Sequence, residues 1–480
     1  MTIKELIKGL EVKKVVGKTD IDIKDVVCNS NLVSSQSLFI CINGVNTDGH
    51  KFIKQAISYG AVCVVCEKEF EENVTQIIVK DSRLAMSLIA SNFYGNPQKK
   101  LKLVGVTGTN GKTTTSQLIH KILCENGIKS GVIGTIGTTF GKFNLEPTLT
   151  TPDPISLYKT LKLMVEDGVK IVVMELSAHA IYLRKLHNLE FEIVVFTNLS
   201  QDHLDFFKDM ESYKKAKIDL FLNNKIKYAV LNSDDKVGLE ISKIVNKPIL
   251  YGINNPADCF AVDINLQGKN TEFVLNLFDC ICFAKTKLKG MFNVYNCLAS
   301  CSVCCMLGVS AENTVKALEK IDCISGRLEC VYYGDYSILI DYAHTPDGLE
   351  KCLTALKEIT TGKLYCVFGC GGNRDTSKRE IMGEISGRYA DFTIITTDNP
   401  RYEDPMDIIN QIEIGVKRVC NNYVIVQDRI QAIKYAINSA KKGDLILVAG
   451  KGSEQYQEVL GIKKQYNDKD TIQDIIRGTL

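Results

Sequence analysis

The chain lacks an excess of either charge, because its 58 basic and 56 acidic residues leave a net charge of only +2. No long-range field therefore favours nucleic acid or an anionic membrane as a partner, and phosphorylated substrates would need local positive groups. No apolar run is long enough to cross a bilayer. The first residues, Met1 to Leu6, also lack the apolar core of a signal peptide, so we predict a cytoplasmic protein.

Cysteines and histidines at the spacing of zinc ligands are missing too, although the chain has 18 cysteines. Cys63 and Cys66 lie in an apolar run that is typical of a buried strand, and Cys301, Cys304 and Cys305 lie in a predicted helix. We expect free, buried thiols in a reducing cytosol rather than a zinc site or disulfides.

The organisation of the chain follows from its length and its alternating elements, since repeats and low-complexity segments are absent. The 480 residues predict about three domains at roughly 150 residues each, which we place at residues 1–97, 98–325 and 326–480. The predicted fold class is α/β, with a small N-terminal α/β domain, a central P-loop domain built on a parallel sheet, and a C-terminal Rossmann-like domain without the dinucleotide fingerprint. The main predicted strands are 101–106, 131–136, 170–175, 192–196, 228–231, 337–341, 364–368, 392–396, 423–427 and 445–449.

The strongest motif is a glycine-rich loop from Thr107 to Thr115, between a predicted strand and a predicted helix from Lys112 to Glu125. The N–H groups of such a turn and the positive end of the helix dipole bind phosphate. Lys112 would reach the β- and γ-phosphates of ATP, and the Thr113 hydroxyl would bind Mg²⁺. Val106 stands where the general motif has its first glycine, so this is a variant P-loop. The predicted ATP-binding residues of the loop are Gly108, Thr109, Asn110, Gly111, Lys112, Thr113 and Thr114.

Two further residues follow buried strands, at the edge where ligands bind to parallel sheets. Glu175 ends one predicted strand, and His203 comes shortly after another, between Asp202 and Asp205. We predict that Glu175 and His203 bind a metal ion near the phosphate loop. The alternative for His203 is a purely structural histidine.

Ordered blocks continue through the rest of the chain. They are Thr150 to Pro152, Glu175 to Ala180, Asn198 to Asp205, Tyr213 to Lys217, Phe292 to Asn296, Gly326 to Glu329, Asp341 to Pro346, Gly369 to Asp375, Asp398 to Arg401 and Gly450 to Glu454. With these blocks the sequence resembles the Mur ligase family nearly end to end, and most of all its members that add the third residue of the peptidoglycan stem peptide.

The resemblance implies an ATP-dependent ligase that forms an amide bond. ATP would phosphorylate the carboxylate of UDP-N-acetylmuramoyl-L-alanyl-D-glutamate, and the amine of a diamino acid would then attack the acyl phosphate. The implied partners are these small molecules, without nucleic acid or membrane, and the implied assembly is a monomer. The implied cofactors are ATP and Mg²⁺.

The resemblance also implies roles for single residues on the ATP side. The catalytic residues would be Lys112, Lys217 and His203, and the Mg²⁺ ligands Thr113, Glu175, His203 and Lys217. Lys217 would be carbamylated to N6-carboxylysine, because a plain lysine cation would repel the metal; a solvated helix lysine is the alternative. Asn296, Arg327 and Asp341 match positions that hold adenine, phosphate and ribose, and His344 belongs to the same ATP-binding block.

Two more groups match the other substrates. The UDP-substrate would bind to Ser30, Thr150, Thr151, Ser177 and Lys185, and the amino acid to Arg374, Asp398, Asn399, Arg401, Gly450 and Glu454. A guanidinium at position 401 suits the distal carboxylate of meso-diaminopimelate, which it can bind in bidentate fashion. L-Lysine is the alternative amino acid, and a surface salt bridge is the alternative role for Arg401.

Several positions depart from the family pattern, mostly at the sugar-nucleotide end. Asn29-Ser30-Asn31 replaces Asp-Ser-Arg, and Lys185 replaces an arginine whose two-pronged fork a lysine cannot supply. The remaining departures are Ala178 for serine, Phe207 for histidine and Ser453 for histidine. These departures leave two alternatives. One is a Mur-like paralogue with another acidic acceptor, such as a cyanophycin- or folylpolyglutamate-type substrate. The other is a catalytically silent nucleotide-binding scaffold. The Thr150 block and Arg401 argue against the paralogue, and the retained metal-binding set argues against the scaffold.

Overall fold

The structure is a computed structural model that describes residues 1–44, 47–147, 149–267 and 270–480. By the density of their contacts these residues form two compact units. Unit 1 comprises residues 1–105, 128–194 and 216–228, and unit 2 comprises residues 106–127, 195–215 and 229–480. The α/β fold class with three domains is as predicted, whereas the predicted domain boundaries stay predictions. In the described ranges, no helix combines the length and the apolar character that a membrane span requires.

The N-terminal sheet lies wholly in unit 1 and has the strand order β1-β5-β4-β3-β2. Its elements are the strands β1 (Val12–Val16), β2 (Asp25–Val27), β3 (Ser37–Ile40), β4 (Ala61–Cys66) and β5 (Thr75–Val79), the helices α1 (Ile3–Leu6), α2 (Ile53–Ser58) and α3 (Ser82–Phe93), and the 3-10 turns Ser30–Leu32, Gly49–Phe52 and Pro97–Lys100. Successive residues of β4 alternate between two cores: Cys63 and Val65 pack with α3, and Val64 and Cys66 pack with α2. Burial on both faces explains why β4 is a continuous apolar run.

The central elements include the phosphate loop and its flanking strand and helix. The strands are β6 (Lys102–Thr107), β7 (Ser130–Gly134), β8 (Gly137–Phe140), β9 (Phe143–Leu145), β10 (Ile171–Glu175), β11 (Glu190–Phe196), β12 (Lys225–Asn232), β13 (Pro248–Gly252), β14 (Cys259–Asn265), β15 (Thr271–Leu277) and β16 (Cys280–Thr286). The helices are α4 (Lys112–Glu125), α5 (Pro154–Glu166), α6 (Ala178–Tyr182), α7 (Leu204–Phe207), α8 (Met210–Asn223), α9 (Lys236–Ser242), α10 (Met291–Met306) and α11 (Ala311–Glu319).

The central strands are mainly parallel, as predicted, and antiparallel strands are added at the edges. In unit 1, β10 pairs parallel with β7, but β8 and β9 continue antiparallel. In unit 2, β12, β13 and β14 are parallel, and β15 and β16 follow as an antiparallel meander. Phe278 and Asp279 join β15 to β16 with φ of 52° and 66°, which is the backbone of a tight hairpin turn. Because β15 buries only alternate residues, it does not show the continuous apolar run of a central parallel strand.

The C-terminal sheet lies in unit 2 and has the order β17-β18-β22-β19-β20-β21. Its strands are β17 (Glu329–Tyr333), β18 (Ser337–Asp341), β19 (Leu364–Phe368), β20 (Phe392–Ile395), β21 (Tyr423–Ile425) and β22 (Leu445–Ala449), followed by the hairpin β23 (Tyr456–Val459) and β24 (Ile462–Gln465). Its helices are α12 (Pro346–Ile359), α13 (Lys378–Tyr389), α14 (Pro405–Lys417), α15 (Arg429–Ser439) and α16 (Asp468–Arg477). Helices α12 to α14 cover one face and α15 and α16 the other. Apart from the edge strand β17 the sheet is parallel, so the Rossmann-like prediction is confirmed.

All 18 cysteines lie in the described part of the chain, and none of them forms a disulfide. Cys63 and Cys66 are fully buried in β4, as expected from the apolar run that contains them. Cys124, Cys280 and Cys330 are exposed, so the expectation of buried thiols is wrong for these three. Each of them lies near the end of a helix or in an edge strand, where one side faces solvent.

Candidate active site

The phosphate loop connects the end of β6 to the start of α4 in unit 2. Gly111 precedes the helix with φ of +84°, and a β-carbon there would lie 2.5 Å from Asn296 Oδ1. At Gly108, with φ of +145°, a β-carbon would lie 1.9 Å from Thr197 Oγ1. Both positions therefore require glycine, for their backbone conformation and for their close neighbours.

The first residues of α4 are held by the loop itself. Lys112 Nζ donates to the carbonyl oxygens of Gly108 (3.0 Å) and Thr109 (2.8 Å). Thr113 and Thr114 are buried. The charge of Lys112 thus lies on the same turn as the N-terminus of α4, where an anion is favoured.

Arg327 lies against the phosphate loop, within the same unit. Its Nη2 donates to Thr113 Oγ1 at 2.8 Å, and its guanidinium stacks over the ring of Tyr342 at 4.6 Å. Asp341 Oδ2 accepts the Leu328 N–H at 2.7 Å. Burial raises the pKa of Asp341, although the Arg327 cation opposes the shift. Three residues predicted on the ATP side, Thr113, Arg327 and Asp341, therefore belong to one linked arrangement.

The His203 segment forms a second charged cluster in unit 2. His203 has φ of +56°, and its Nε2 lies 3.3 Å from Asp202 Oδ2. His344 lies 3.9 Å from the same oxygen through Nε2 and donates from Nδ1 to the Tyr342 carbonyl oxygen. Burial raises the pKa of Asp202, but the nearby His203, His344 and Lys378 outweigh it and hold the pKa below its ordinary value. The sequence prediction named His203 and His344 as site residues and gave Asp202 only as a residue flanking His203, whereas the structure shows that Asp202 lies next to both histidines.

One acidic side chain that no motif indicated contacts the phosphate loop directly. Asp347 Oδ2, in the first turn of α12, accepts from Asn110 Nδ2 at 2.6 Å and from Ser200 Oγ at 3.3 Å. Asp347 also pairs with Lys351. In the sequence, Asp347 belongs only to a Thr-Pro-Asp pattern that is typical of a helix start. This pattern does not indicate a contact with the phosphate loop.

The predicted amino-acid residues gather at the carboxyl ends of β20 and β22. Lys451, which is fully buried, donates to Asn399 Oδ1 (3.0 Å) and Glu454 Oε2 (2.8 Å). Asn399 Nδ2 also donates to Glu454 Oε2 at 2.9 Å. A β-carbon at Gly450 would lie 2.8 Å from Asp398 Oδ2. The structure thus brings together Asp398, Asn399, Gly450 and Glu454 through Lys451, which the sequence prediction did not name.

The two predicted arginines of this site have acidic neighbours. Arg401 Nη1 donates to the Gly372 carbonyl oxygen at 2.6 Å, and its Nε lies 3.5 Å from Glu458 Oε2. Arg374 Nη1 lies 3.6 Å from Asp205 Oδ2. Glu458 lay outside the motifs that indicated the site, whereas Lys451 belongs to the block from Gly450 to Glu454.

A more deeply buried ion pair lies near the carboxyl ends of β20 and β22. Arg429, at the start of α15, donates from Nε and Nη2 to the two carboxylate oxygens of Asp468, both at 2.8 Å, and from Nη2 to the Ala449 carbonyl oxygen. Both side chains are at most 2% exposed. Arg429, Lys451 and Arg401 together hold the pKa of Asp398 below its ordinary value, although burial alone would raise it.

The predicted UDP-substrate residues fall into two groups in unit 1. In the first, Ser30 Oγ donates to Gln55 Oε1 at 3.1 Å, and Gln55 Nε2 donates to Asn31 Oδ1 at 3.3 Å. Asn29 Oδ1 accepts the Asn31 N–H at 3.0 Å. The Asn29-Ser30-Asn31 turn is therefore a neutral network completed by Gln55, a residue that the sequence prediction missed.

The second group surrounds the end of β10. Thr151 Oγ1 donates to the Glu175 carbonyl oxygen (2.7 Å) and accepts the Ser177 N–H (3.0 Å). Thr135 donates to both carboxylate oxygens of Glu175, and its hydroxyl lies 3.1 Å from that of Thr150. Thr150, Thr151, Ser177 and Glu175 are therefore brought together.

Lys185 lies in unit 1 at the end of the segment that follows α6. Burial lowers the pKa of Lys185, and the Asp153 carboxylate opposes the shift. The neighbouring Arg184 pairs with Asp81 at 3.4 Å. Of the two adjacent cations, Lys185 is thus the more buried, and Arg184 the one paired near the surface.

The predicted metal ligands offer the right atoms for a hard cation. Thr113 supplies a hydroxyl and Glu175 a carboxylate, both oxygen donors of the kind that Mg²⁺ prefers, and both side chains are buried. Lys217, in α8, is only 1% exposed, so the alternative of a solvated helix lysine is wrong. In the part of the chain that the structure describes, no group of three His, Cys, Asp or Glu side chains could hold a metal ion.

Comparison with known protein families gives matches in three successive parts of the chain. Profiles described as "Mur ligase family, catalytic domain", "Mur ligase middle domain" and "Mur ligase, glutamate ligase domain" match residues 22–94, 106–304 and 326–452. The UDP-N-acetylmuramoyl-L-alanyl-D-glutamate–2,6-diaminopimelate ligase 1 of Clostridium acetobutylicum is 42% identical over 99% of both chains. The chain belongs to the Mur ligase family. It is accordingly an ATP-dependent ligase that forms amide bonds.

Other relatives and solved structures agree with this placement. A relative from Caldanaerobacter subterraneus, named as a ligase for 2,6-diaminopimelate, is also 42% identical over 99% of both chains. A solved structure named as a UDP-N-acetylmuramoyl-L-alanyl-D-glutamate–2,6-diaminopimelate ligase is 28% identical, with a TM-score of 0.70 over 100% of this chain and 99% of that one. The MurF ligase of Thermotoga maritima in complex with ADP is 19% identical, with a TM-score of 0.65 over 96% of this chain and 99% of that one, and shows the shared fold alone.

Proposed function

We propose that the chain adds meso-diaminopimelate to UDP-N-acetylmuramoyl-L-alanyl-D-glutamate at the expense of ATP, in the synthesis of peptidoglycan precursor. Full-length similarity to relatives named for this reaction supports the pair of substrates. Arg401 carries the choice of amino acid, because its guanidinium at the ends of the C-terminal strands can bind the distal carboxylate that lysine lacks.

On the ATP side, Lys112 neutralises the charge that develops on the transferred phosphoryl group. A fixed cation at a helix N-terminus stabilises such charge without reorganisation during the reaction. Arg327, through its hydrogen bond to Thr113, binds phosphate on the same side. Asn296 would hold the adenine and Asp341 the ribose, with His344 in the same group, and the remaining loop residues would cradle the phosphates.

The metal site of this proposal consists of Thr113, Glu175, His203 and a carbamylated Lys217. Bound Mg²⁺ would stabilise the charge on the phosphoryl and acyl-phosphate oxygens. Burial disfavours the ammonium form of a lysine, so a buried Lys217 suits conversion to the carbamate, an oxygen ligand. His203 Nε2 lies 3.3 Å from Asp202 Oδ2, and a carboxylate partner of this kind would orient the imidazole for metal binding.

The substrate sites complete the proposal. Ser30, Thr150, Thr151, Ser177 and Lys185 would bind the UDP-substrate, and Arg374, Asp398, Asn399, Arg401, Gly450 and Glu454 the amino acid. We further propose that the chain acts as a monomer in the cytoplasm. L-Lysine and a different acidic acceptor are the alternatives that the experiment must separate.

The test is phosphate release from ATP by the pure protein with Mg²⁺ and UDP-N-acetylmuramoyl-L-alanyl-D-glutamate. We expect release on addition of meso-diaminopimelate, together with a product whose mass equals that of the nucleotide substrate plus the amino acid minus water. Release with lysine alone would overturn the choice of amino acid. If neither amino acid causes phosphate release, the proposed substrate pair is wrong.

A further inference from the structure

The strands β14 to β16 in unit 2 expose apolar side chains on one face, whereas the alternate residues of β15 are buried. Ile281 and Phe283, both in β16, are 75% and 62% exposed, and Val262 in β14 is 42% exposed. The strand register places Val274 of β15 between Val262 and Phe283, so these side chains form one patch. A continuous apolar patch on a sheet surface is typical of a binding surface.

The strand β16 is also an edge strand, because it ends the strand order next to β15. A two-residue turn joins the two strands, and such a turn is flanked by a hydrogen-bonded pair, here Leu277 and Cys280. Alternate residues from Ile281 onward therefore direct their N–H and C=O groups away from β15. Among the described residues, none forms a main-chain hydrogen bond to Ile281, Phe283 or Lys285 from that side.

The features that keep an edge strand from pairing are missing from β16. The strand contains no proline, and the described residues 271–286 pair with each other in a regular register without a bulge. Its one charged residue, Lys285, lies with Nζ 3.6 Å from Glu272 Oε1 on β15. Lys285 is thus engaged on its own sheet rather than across the edge. A regular, apolar edge of this kind favours pairing with another strand.

A second copy of the chain offers β16 a matching strand. Antiparallel pairing about a two-fold axis is isologous, so each contact between two residues occurs twice. When Cys282 lies opposite itself, Ile281 faces Phe283 of the second copy. Asp279 then faces Lys285, which gives an acidic residue opposite a basic one at each end of the strand pair. Such apolar and oppositely charged pairs stabilise antiparallel strands.

The same comparison of residues excludes the neighbouring registers. Because only alternate residues have outward N–H and C=O groups, the next possible registers place either Ile281 or Phe283 opposite itself. With Ile281 opposite itself, Asp279 would face Phe283. With Phe283 opposite itself, Ile281 would face Lys285. Each of these registers sets a charged side chain against an apolar one, whereas the register centred on Cys282 does not.

We propose that β16 is a self-association surface, at which two copies of the chain pair antiparallel through their edge strands about a two-fold axis at Cys282. The proposal goes beyond the proposed function and does not depend on it. No residue of 259–286 belongs to the proposed ATP, metal or substrate sites, so the catalytic unit remains the monomer. An interface made by one strand from each copy is at the small end of protein interfaces, and the dimer therefore forms reversibly as the protein concentration rises.

Sedimentation velocity of the whole chain under reducing conditions tests the association, and we expect the fraction of dimer to rise with protein concentration. Ile281→Lys sets a cation opposite Phe283 in both halves of the interface, so the dissociation constant should rise roughly 100-fold. The matched control is Tyr333→Lys, because Tyr333 is 85% exposed on β17, the edge strand of the C-terminal sheet. The control should leave the dissociation constant unchanged. A monomer at every concentration, or equal weakening by the two variants, would overturn the proposal.

The register has a test of its own. Opposed residues that are not hydrogen-bonded have α-carbons about 4.5 Å apart, a separation that a disulfide can bridge. Oxidised glutathione should therefore link Cys282, which is half-buried, to Cys282 of the second copy, with two protein thiols oxidised and one glutathione disulfide reduced to two thiols.

Peptide mass spectrometry identifies the linked residues. The linked peptide should form in Cys280→Ser and disappear in Cys282→Ser. A bond between Cys280 and Cys280 of the second copy, or no bond at Cys282 in a sample that sedimentation shows to be dimeric, would contradict the register.

Discussion

The proposed UDP-substrate site in unit 1 and the proposed amino-acid site in unit 2 are organised by opposite kinds of groups. Around Ser30 the contacts are neutral, between a hydroxyl and the amides of Asn31 and Gln55. Around Lys451 and Arg429 the contacts are ionic, and Lys451, Arg429 and Asp468 are buried. At the proposed UDP-substrate site, Asn29 and Asn31 replace charged residues of the family pattern and form a neutral network. The proposed amino-acid site keeps its charged residues. Neutral networks contribute about 1 kcal/mol per bond, and broken buried ion pairs cost several times more.

The largest effect should come from the phosphate loop of unit 2. Lys112→Ala removes the cation that lies on the phosphate loop, and we expect kcat/KM to fall by about 10³-fold or more, as for the loss of a preorganised charge-stabilising group. The rate of phosphate release from ATP measures this fall in kcat/KM. Lys121→Ala, on the same helix, is the control. A loss below tenfold would contradict the proposed role.

Breaking the buried pair should have the next largest effect, on stability. Arg429→Met leaves the carboxylate of Asp468 buried without its partner, and we expect a loss of about 3–5 kcal/mol. Hydrogen exchange in β22 and α16 would measure it. The control is Arg418→Met, whose partner Glu380 is 41% exposed and whose loss should cost less than about 1 kcal/mol. Similar losses in the two variants would contradict the account of a buried charged end.

The metal ligands should respond more weakly but in a diagnostic way. Lys217→Ala should lower activity roughly 100-fold, because it removes the proposed carbamate and with it a metal ligand. Short-chain carboxylic acids should restore part of that activity by taking the place of the carbamate. Phosphate release with and without added acid measures both effects, and an absence of any recovery would argue against the carbamate.

The neutral end should give a smaller effect, confined to one substrate. Gln55→Leu removes the bonds to Ser30 and Asn31, and we expect KM for the UDP-substrate to rise about tenfold, with KM for ATP unchanged. Lys54→Gln is the control, because that lysine side chain is 84% exposed. A change in KM for ATP as large as that for the UDP-substrate would show a general loss of structure instead.

A further prediction concerns the pH dependence of stability rather than activity. Burial lowers the pKa of His120, in α4, from 6.5 to about 4. Between these two values the unfolded chain binds a proton that the folded chain does not, so stability falls as the pH falls from about 6.5 towards 4. His120→Gln removes this contribution, and its stability should fall less steeply over the same range. Denaturant midpoints at a series of pH values measure it, and identical slopes would exclude a neutral buried histidine.

Much of the fold could be predicted because both faces of a parallel sheet are buried. The helix from Lys112 to Glu125 and the strands β18, β19 and β22 have the bounds that were predicted from apolar runs and loop residues. The hairpin of β15 and β16 could not be predicted in this way, because half of its residues face solvent and alternate with buried ones.

The site could be predicted only where a motif carried its chemistry. Arg401 and Glu454 were found through their motifs, whereas Glu458 and Gln55 lie outside any motif and act through contacts with residues 57 and 25 positions away in the chain. Lys451 belongs to a predicted block, but only its burial shows that it holds Asn399 and Glu454. Contacts between distant segments are the part of a site that one sequence does not contain.

The most direct test of the central claim is a competition between amino acids in one reaction. The protein is given ATP, Mg²⁺ and UDP-N-acetylmuramoyl-L-alanyl-D-glutamate with equal amounts of meso-diaminopimelate and L-lysine, and the masses of the nucleotide products are measured. The account predicts a product that carries diaminopimelate in large excess. A product that carries mainly lysine, or ADP without either product, would contradict it.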